Sequence, residues 1–149
     1  MKRITLILTL VFFSSLAAFA QLENPVTWSY VAKKISKTEA EVYLKATIDE
    51  GWHIYSQNLK PGGPNKTEIT FKPSKDFTLV GKTVEPKPIA KFEKTFKMDV
   101  MYFENEVIFK QKVKLNKGTT AVKGSVNYSV CNDKSCLPPA DVEFSIPIK

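Results

Sequence analysis

Hydrophobic and polar residues alternate along three long stretches of the chain, which is the period of a β-strand with one buried face. The positions on the buried side are apolar apart from one glutamine: Val42, Leu44, Ala46 and Ile48; Val107, Phe109, Gln111, Val113 and Leu115; Val142, Phe144, Ile146 and Ile148. Four shorter stretches with strand-forming composition occur at 27–31, 67–71, 77–84 and 122–130. No amphipathic helical spacing is evident after residue 20. The pattern predicts an all-β protein.

Turn-forming residues separate these predicted strands. Glycine or proline marks a turn at 49–51, 61–64, 86–88 and 116–118. Seven or more short strands with turns at this spacing are typical of an immunoglobulin-like, two-sheet antiparallel sandwich, which we predict here. The distant cysteine pair usual in immunoglobulin domains is missing from the sequence.

The first 20 residues have the pattern of an export signal. Lys2 and Arg3 precede a short apolar run, and Ala18-Phe19-Ala20 predicts cleavage before Gln21. Residues 21–149 then form a single domain by length, and no later segment is apolar enough for a membrane span in the mature chain. The mature protein is therefore predicted to be exported and soluble.

Charge and motifs exclude several classes of function. The formal net charge of +7 falls to +5 when Lys2 and Arg3 leave with the signal, and the remaining lysines are scattered along the chain. Nucleic-acid binders concentrate their charge, so no nucleic-acid partner is predicted. A single histidine, with no Gly-x-Ser-x-Gly elbow and no phosphate loop, argues against hydrolase or nucleotide chemistry.

Cys131 and Cys136 are the only cysteines in the chain. In an exported protein such a pair is a structural disulfide, a cycling dithiol or a soft-metal clamp. Strands at 122–130 and 140–148 would place one cysteine at each end of a hairpin, about 4.5–5.5 Å apart at Cα and near solvent. A disulfide that closes so short a loop would stabilise the folded domain by only about 2 kcal/mol, which favours a redox role over a structural one.

Two runs of sequence now point to a family. Residues 128–139, with Cys-x4-Cys-Leu-Pro-Pro, resemble the active-site hairpin of the N-terminal periplasmic domain of DsbD, the transmembrane disulfide reductase of Gram-negative bacteria. Residues 50–55, Glu-Gly-Trp-His-Ile-Tyr, resemble a strand of the same family. Residues 99–103 lie where the family has a cap loop over its cysteines. The resemblance implies an immunoglobulin-like fold in the periplasm.

The resemblance also implies roles for seven residues. Cys136 would form mixed disulfides with partners and Cys131 would resolve them. The predicted lining and cap residues of this site are His53, Tyr55, Asp99, Met101 and Tyr102. The partners would be a thioredoxin-like periplasmic reductant, made as a separate protein, and oxidised periplasmic protein substrates. Neither a cofactor nor a resident metal is needed.

The sequence is expected to depart from the family in three respects, one of which is that the domain stands alone, without the family's transmembrane and C-terminal thioredoxin domains. Four residues separate its cysteines, where the family usually has five, and Met101 stands where the family usually has an aromatic cap residue.

Two other functions remain open. The side chains of Cys131, Cys136, His53, Met98 and Met101 could together hold Cu(I), which prefers thiolate and thioether ligands. Alternatively, the domain is a non-redox interaction sandwich with an inert hairpin disulfide.

Overall fold

The computed structural model describes residues 24–149, so the predicted signal peptide at 1–20 lies outside the described residues. Within them the chain forms strands and connecting loops, without a helix that could span a bilayer. The strands are β1 (Val26–Lys34), β2 (Glu39–Ile48), β3 (His53–Tyr55), β4 (Glu68–Phe71), β5 (Phe77–Val84), β6 (Ile89–Glu93), β7 (Met98–Glu104), β8 (Glu106–Leu115), β9 (Thr120–Tyr128), β10 (Val130–Cys131) and β11 (Ala140–Ile148).

These strands pair antiparallel in three sheets. The first sheet has the order β1-β2-β8-β5, the second β10-β3-β7-β6 and the third β11-β9-β4. The second and third sheets are joined where β9 runs into β10 through Ser129. The predicted all-β, immunoglobulin-like sandwich is confirmed, with its second layer divided between two hydrogen-bonded sheets.

One hydrophobic core is shared by all three sheets. The alternating residues of β2 and β8 point into it, and Phe109 at its centre is 0% exposed. The ring of Phe109 packs on Trp28 from β1 at 6.1 Å and edge-on to Phe103 from β7 at 6.0 Å. Phe103 thereby anchors the inner face of the second sheet, whose outer face carries the cysteine pair.

The polar exception in the apolar pattern, Gln111, lies in this core at 1% exposure. Strand β5, which pairs with β8 beside Gln111, has a register shift between Val80 and Val84. Backbone carbonyls in this irregular stretch are left without a partner in the regular strand pairing. The Gln111 carboxamide donates to the carbonyls of Val80 and Lys112 at 3.1 and 2.8 Å and accepts from the Thr83 hydroxyl at 2.9 Å. The glutamine is therefore satisfied by hydrogen bonds, as a buried amide must be.

Gly124 marks a close approach in the third sheet. It lies on β9 between Phe71 of β4 and Phe144 of β11, whose rings meet edge-on at 5.6 Å. A Cβ atom at this position would lie 2.1 Å from the Thr70 carbonyl oxygen and 2.5 Å from Cζ of Phe144. The site requires a residue without a side chain because the aromatic pair closes over the strand.

Candidate functional site

The two cysteines form a disulfide within a tight hairpin. The Cα atoms of Cys131 and Cys136 are 4.0 Å apart, closer than the predicted separation, and the two residues face each other in an isolated antiparallel bridge. The amide of Leu137 donates to the Val130 carbonyl at 3.0 Å, just outside the bridge. No strand continues through Pro138 and Pro139, which lack amide protons for a ladder.

Asn132 shapes the four-residue loop between the cysteines. Its side-chain Oδ1 accepts hydrogen bonds from the amides of Lys134 and Ser135 at 2.9 and 2.8 Å, and its own amide donates to the Ser135 carbonyl at 2.9 Å. This is an Asx-type turn, in which the asparagine side chain replaces a backbone acceptor. The loop is thus held in a closed shape by hydrogen bonds as well as by the disulfide.

The strand that leads into the hairpin differs from the one predicted. Residues 122–130 were expected to form one strand beside 140–148, but β9 ends at Tyr128 and only that part pairs with β11. Val130 and Cys131 form β10 and pair with Ile54 and His53 of β3, in the second sheet. The prediction was wrong here because the chain changes sheets at Ser129, where four consecutive residues are buried and alternation fails.

The two cysteine residues differ in solvent exposure. Cys131 is 2% exposed and belongs to a small buried cluster on the outer face of the second sheet, with Tyr55 and Val100. Cys136, across the bridge, is exposed to solvent. An incoming thiolate or disulfide can therefore reach Cys136, whereas Cys131 is shielded by the sheet.

A cross-strand row links this pair to two titratable side chains. Cys131 is paired with His53 on β3, and His53 is paired with Glu104 on β7. Because directly opposed residues of antiparallel strands point to the same face, Glu104, His53, Cys131 and Cys136 follow one another across one side of the sheet. The order runs from carboxylate to imidazole, to the buried sulfur and then to the exposed sulfur.

Aromatic side chains surround the imidazole of His53. Its ring lies 5.3 Å from the Tyr55 ring and 4.9 Å from the Tyr102 ring, and Nε2 is 3.3 Å from the Tyr55 hydroxyl oxygen. Tyr55 and Tyr102 both pack in the cluster that contains Cys131. The structure therefore brings together three of the predicted lining residues with the cysteine pair.

The other two predicted cap residues, Asp99 and Met101, lie elsewhere. Residues 99–103 form part of strand β7 and are not a loop. Along this strand Tyr102 faces the cysteines, so by the two-residue period Met101 and Asp99 point to the opposite face. Their place in strand β7, on the face away from the cysteines, is not that of a loop over the pair.

The residues that do face Cys131 from β7 are Val100, which the sequence did not indicate, and Met98, which the sequence suggested only as a Cu(I) ligand. Both lie in or against the Cys131 cluster together with Leu59 from the loop after β3. Met98 also packs against Gly63: its Sδ and Cε atoms lie 3.5 and 3.6 Å from the position that a Cβ atom would occupy on that glycine. In a strand over 98–104 the two-residue period places Met98 and Val100 on the same face as Tyr102, so this period is the sequence signal for them.

A carboxylate network, also missed from sequence, fixes the start of that loop. Glu85 accepts hydrogen bonds from the Ser56 hydroxyl, from the Gln57 amide at 2.9 Å and from the Asn58 carboxamide at 2.7 Å. Ser56 is fully buried and follows Tyr55 directly. The segment that covers the Cys131 cluster is therefore tied to the linker between β5 and β6.

Burial dominates the electrostatics of His53. Burial lowers the pKa of the imidazole below its ordinary value, Lys91 lowers it further, and the carboxylates of Glu104, Asp133 and Glu93 oppose the shift. Burial likewise raises the pKa of the Tyr55 and Tyr102 hydroxyls. At neutral pH the site therefore holds a neutral imidazole between two protonated phenols.

We expect the oxidised protein to lose stability as the pH falls from about 7 to about 5. The unfolded chain takes up a proton on its histidine below about pH 6.5, whereas folded His53 resists protonation, so acid favours the unfolded state. Urea unfolding across this range checks it, in protein without a histidine tag. Because His53 is the single histidine, His53→Gln should remove the slope, and an NMR-measured pKa of the ring above 6.5 would contradict the expectation.

The arrangement does not gather the five residues suggested for Cu(I). Met101 faces away from Cys131, as the register of β7 shows. Across residues 24–149, no group of three or more His, Cys, Asp or Glu side chains is placed to hold a metal ion.

Comparison with known proteins gives a family and a fold. The family model for "Thiol:disulfide interchange protein DsbD, N-terminal" matches residues 23–147. No curated protein sequence matches significantly.

Three solved structures are similar to this chain. The reduced DsbD N-terminal domain of Neisseria meningitidis has a TM-score of 0.55 at 18% identity, covering 84% of this chain and 89% of that one. The N-terminal periplasmic domain of ScsB from Proteus mirabilis has a TM-score of 0.58 at 19% identity, over 85% of this chain and 47% of that one. The complex of the DsbD N-terminal and PilB N-terminal domains of Neisseria meningitidis has a TM-score of 0.56 at 16% identity, covering 84% of this chain and 87% of that one. At these identities the likeness shows the fold.

Proposed function

Because the chain belongs to the family of the N-terminal domain of the thiol:disulfide interchange protein DsbD, we propose that its Cys131–Cys136 pair cycles between disulfide and dithiol and reduces partner proteins. The observation that supports this most directly is the unequal solvent exposure of the two cysteine residues. Exchange needs one sulfur that a partner can reach and a second that attacks from within the protein. Cys136 is exposed and Cys131 is buried beside it.

In the proposed reaction, Cys136 of the reduced domain attacks a disulfide of the partner. One partner sulfur leaves as a thiolate and takes a proton, while the other joins Cys136 in a mixed disulfide. Cys131 then attacks the Cys136 sulfur, the mixed disulfide breaks, and the second partner sulfur leaves and is protonated. The partner gains two electrons and two protons, and the domain is left with its Cys131–Cys136 disulfide.

We further propose that the reaction takes place in the periplasm, with residues 21–149 as one mature domain after removal of the signal at 1–20. A thioredoxin-like reductant would restore the dithiol, and oxidised periplasmic proteins would be the substrates. The DsbD N-terminal domain of Neisseria meningitidis forms a complex with a PilB N-terminal domain, which supports a protein as the partner of this chain. His53, Tyr55 and Tyr102 would line the contact.

Capture of a partner tests the proposal. Reduced Cys131→Ser protein, mixed with an oxidised thioredoxin-like periplasmic domain, should give a disulfide-linked heterodimer on a non-reducing gel, because no second thiol is present to resolve it. The matched control Cys136→Ser should give little or none at the same time point, because its remaining thiol is buried. Equal capture by both variants would contradict the proposal that solvent exposure makes Cys136 the cysteine that reacts with partners. Failure of both, with a wild-type disulfide that resists reduction until the domain unfolds, would favour an inert bridge.

A further inference from the structure

The cross-strand row described above places an imidazole on the inner side of the pair. His53 is the register partner of Cys131, on the side away from Cys136, and Glu104 is the next residue in the row. A nucleophile, a base and a carboxylate in this order are the parts of an activated nucleophile, in which the third group stabilises the protonated base. The row therefore offers Cys131, and not Cys136, a neighbouring proton acceptor.

Cys131 needs such an acceptor because of its burial. The thiolate is the attacking form of cysteine, and an apolar setting disfavours it. Cys131 is surrounded by Tyr55, Val100 and Met98, none of which carries a charge at neutral pH. The exposed Cys136 can lose its proton to water, whereas Cys131 must lose it to a group inside the site.

The ring of His53 is prepared to take this proton. Nε2 lies 3.3 Å from the Tyr55 hydroxyl oxygen. The charged groups that act on the ring from the packed elements are Glu104 on β7, Lys91 and Glu93 on β6, and Asp133 in the cysteine loop. Lys91 is also paired with Glu93 at 3.4 Å, so carboxylates outnumber cations around the ring.

We propose that His53 is a catalytic base for the resolving step, and that Glu104 is a positioning residue that stabilises the imidazolium. The inference rests on the proposed function. As Cys131 attacks Cys136, its thiol proton passes to the imidazole, the bond between Cys136 and the partner sulfur breaks, and the electron pair leaves with that sulfur. The imidazolium then releases its proton to solvent, which returns His53 to its neutral form, and the departing thiolate takes a proton from water to the extent that its own acidity requires.

A chromogenic disulfide separates the two steps. Reduced protein attacks dithiobis(nitrobenzoate), and one coloured thionitrobenzoate leaves when Cys136 forms the mixed disulfide; the second leaves when Cys131 resolves it. Stopped-flow traces therefore give an attack rate and a resolution rate for each variant. His53→Gln should lower the ratio of resolution to attack on the order of 100-fold at pH 7, which is the usual worth of a general base. His53→Tyr keeps an aromatic ring but has no group that can accept a proton near pH 7, so it should lower the ratio as His53→Gln does.

The pH profile separates proton transfer from a packing effect. In the wild type the resolution rate should fall below the pKa of His53, whereas in His53→Gln it should rise steadily with pH as the thiol ionises. Glu104→Gln should move the wild-type inflection to lower pH because the carboxylate holds the imidazole pKa up. The matched control Glu143→Gln removes an exposed carboxylate in the third sheet, paired with Lys72, and should leave the inflection in place.

Each failure has a distinct meaning. A resolution rate of His53→Gln within about twofold of wild type, in a protein whose Cys131→Ser variant still captures a partner, overturns the role of His53 and leaves the redox function standing. A slow step with an unchanged inflection also overturns it, since a packing defect would give that result. If Cys136 captures nothing in the Cys131→Ser variant, the proposed function itself fails and the base role fails with it.

Discussion

Replacing Gly124 with alanine is expected to lower the free energy of unfolding by about 3 kcal/mol, the upper end of the usual cost of adding a methyl group where there is no room for it. The new methyl group would lie 2.1 Å from a backbone oxygen of β4 and 2.5 Å from the ring of Phe144. Because Phe144 is buried and packed on Phe71, neither neighbour can move aside without opening the third sheet. Urea unfolding of the oxidised protein measures the loss.

Gly118→Ala is the matched control. Nothing lies within 4 Å of the position where its Cβ would be, so alanine there should change the unfolding free energy by less than about 0.5 kcal/mol. A Gly124→Ala protein as stable as Gly118→Ala would show that β4 and β9 are farther apart than described.

Phe109→Ala is expected to cost about 3–5 kcal/mol, the usual range for removing a buried phenylalanine ring. Phe109 is 0% exposed and contacts both Trp28 of the first sheet and Phe103 of the second. The cavity would open directly between these sheets, beneath the strand that carries Tyr102. The midpoint and slope of a urea titration, followed by tryptophan fluorescence, give the change.

Phe92→Ala removes the same ring from a position that is 59% exposed. Its loss should cost less than about 1 kcal/mol because little buried contact is removed. If the two variants were equally destabilised, the assignment of Phe109 to the centre of the core would be wrong. Equal stability of folded Phe109→Ala and Phe92→Ala would also contradict the place of Phe109 at the centre of the core.

The first and third sheets could be predicted from sequence because their long strands each have one buried face. The alternation at 42–48, 107–115 and 142–148 falls within β2, β8 and β11. The predicted strand at 77–84 matches β5 residue for residue. Where a strand is long and half-buried, hydrophobic alternation is enough to locate it.

The second sheet, which carries the site, left no such signal. Strand β3 has three residues and β10 has two, too few to show a period. Four of the five residues of β6 are exposed, so no apolar face appears in its sequence. Strand β7 has buried residues on both faces, which hides its register. Strand register puts His53, Tyr55 and Tyr102 on the cysteine face of this sheet and Asp99 and Met101 on the other, a difference that the sequence alone does not reveal.

The cysteines themselves were recognised from their spacing and from the family resemblance, but their surroundings depend on the sheet change at Ser129. Sequence alone gives no reason for a strand to stop at Tyr128 and resume in another sheet two residues later. That change is what makes His53 the neighbour of Cys131. Residues contributed by tertiary pairing, such as Glu104 and Glu85, could be identified only from the folded chain.

The hydrogen bonds of the cysteine loop have a consequence for how often the two thiols meet. The bonds from Lys134, Ser135 and Leu137 close the hairpin without help from the sulfurs. When the disulfide is reduced, this frame keeps Cys131 close to Cys136, so the second thiol is present at a high effective concentration before any partner arrives. A mixed disulfide on Cys136 would then be short-lived, and each encounter would end in a two-electron transfer instead of a lasting conjugate.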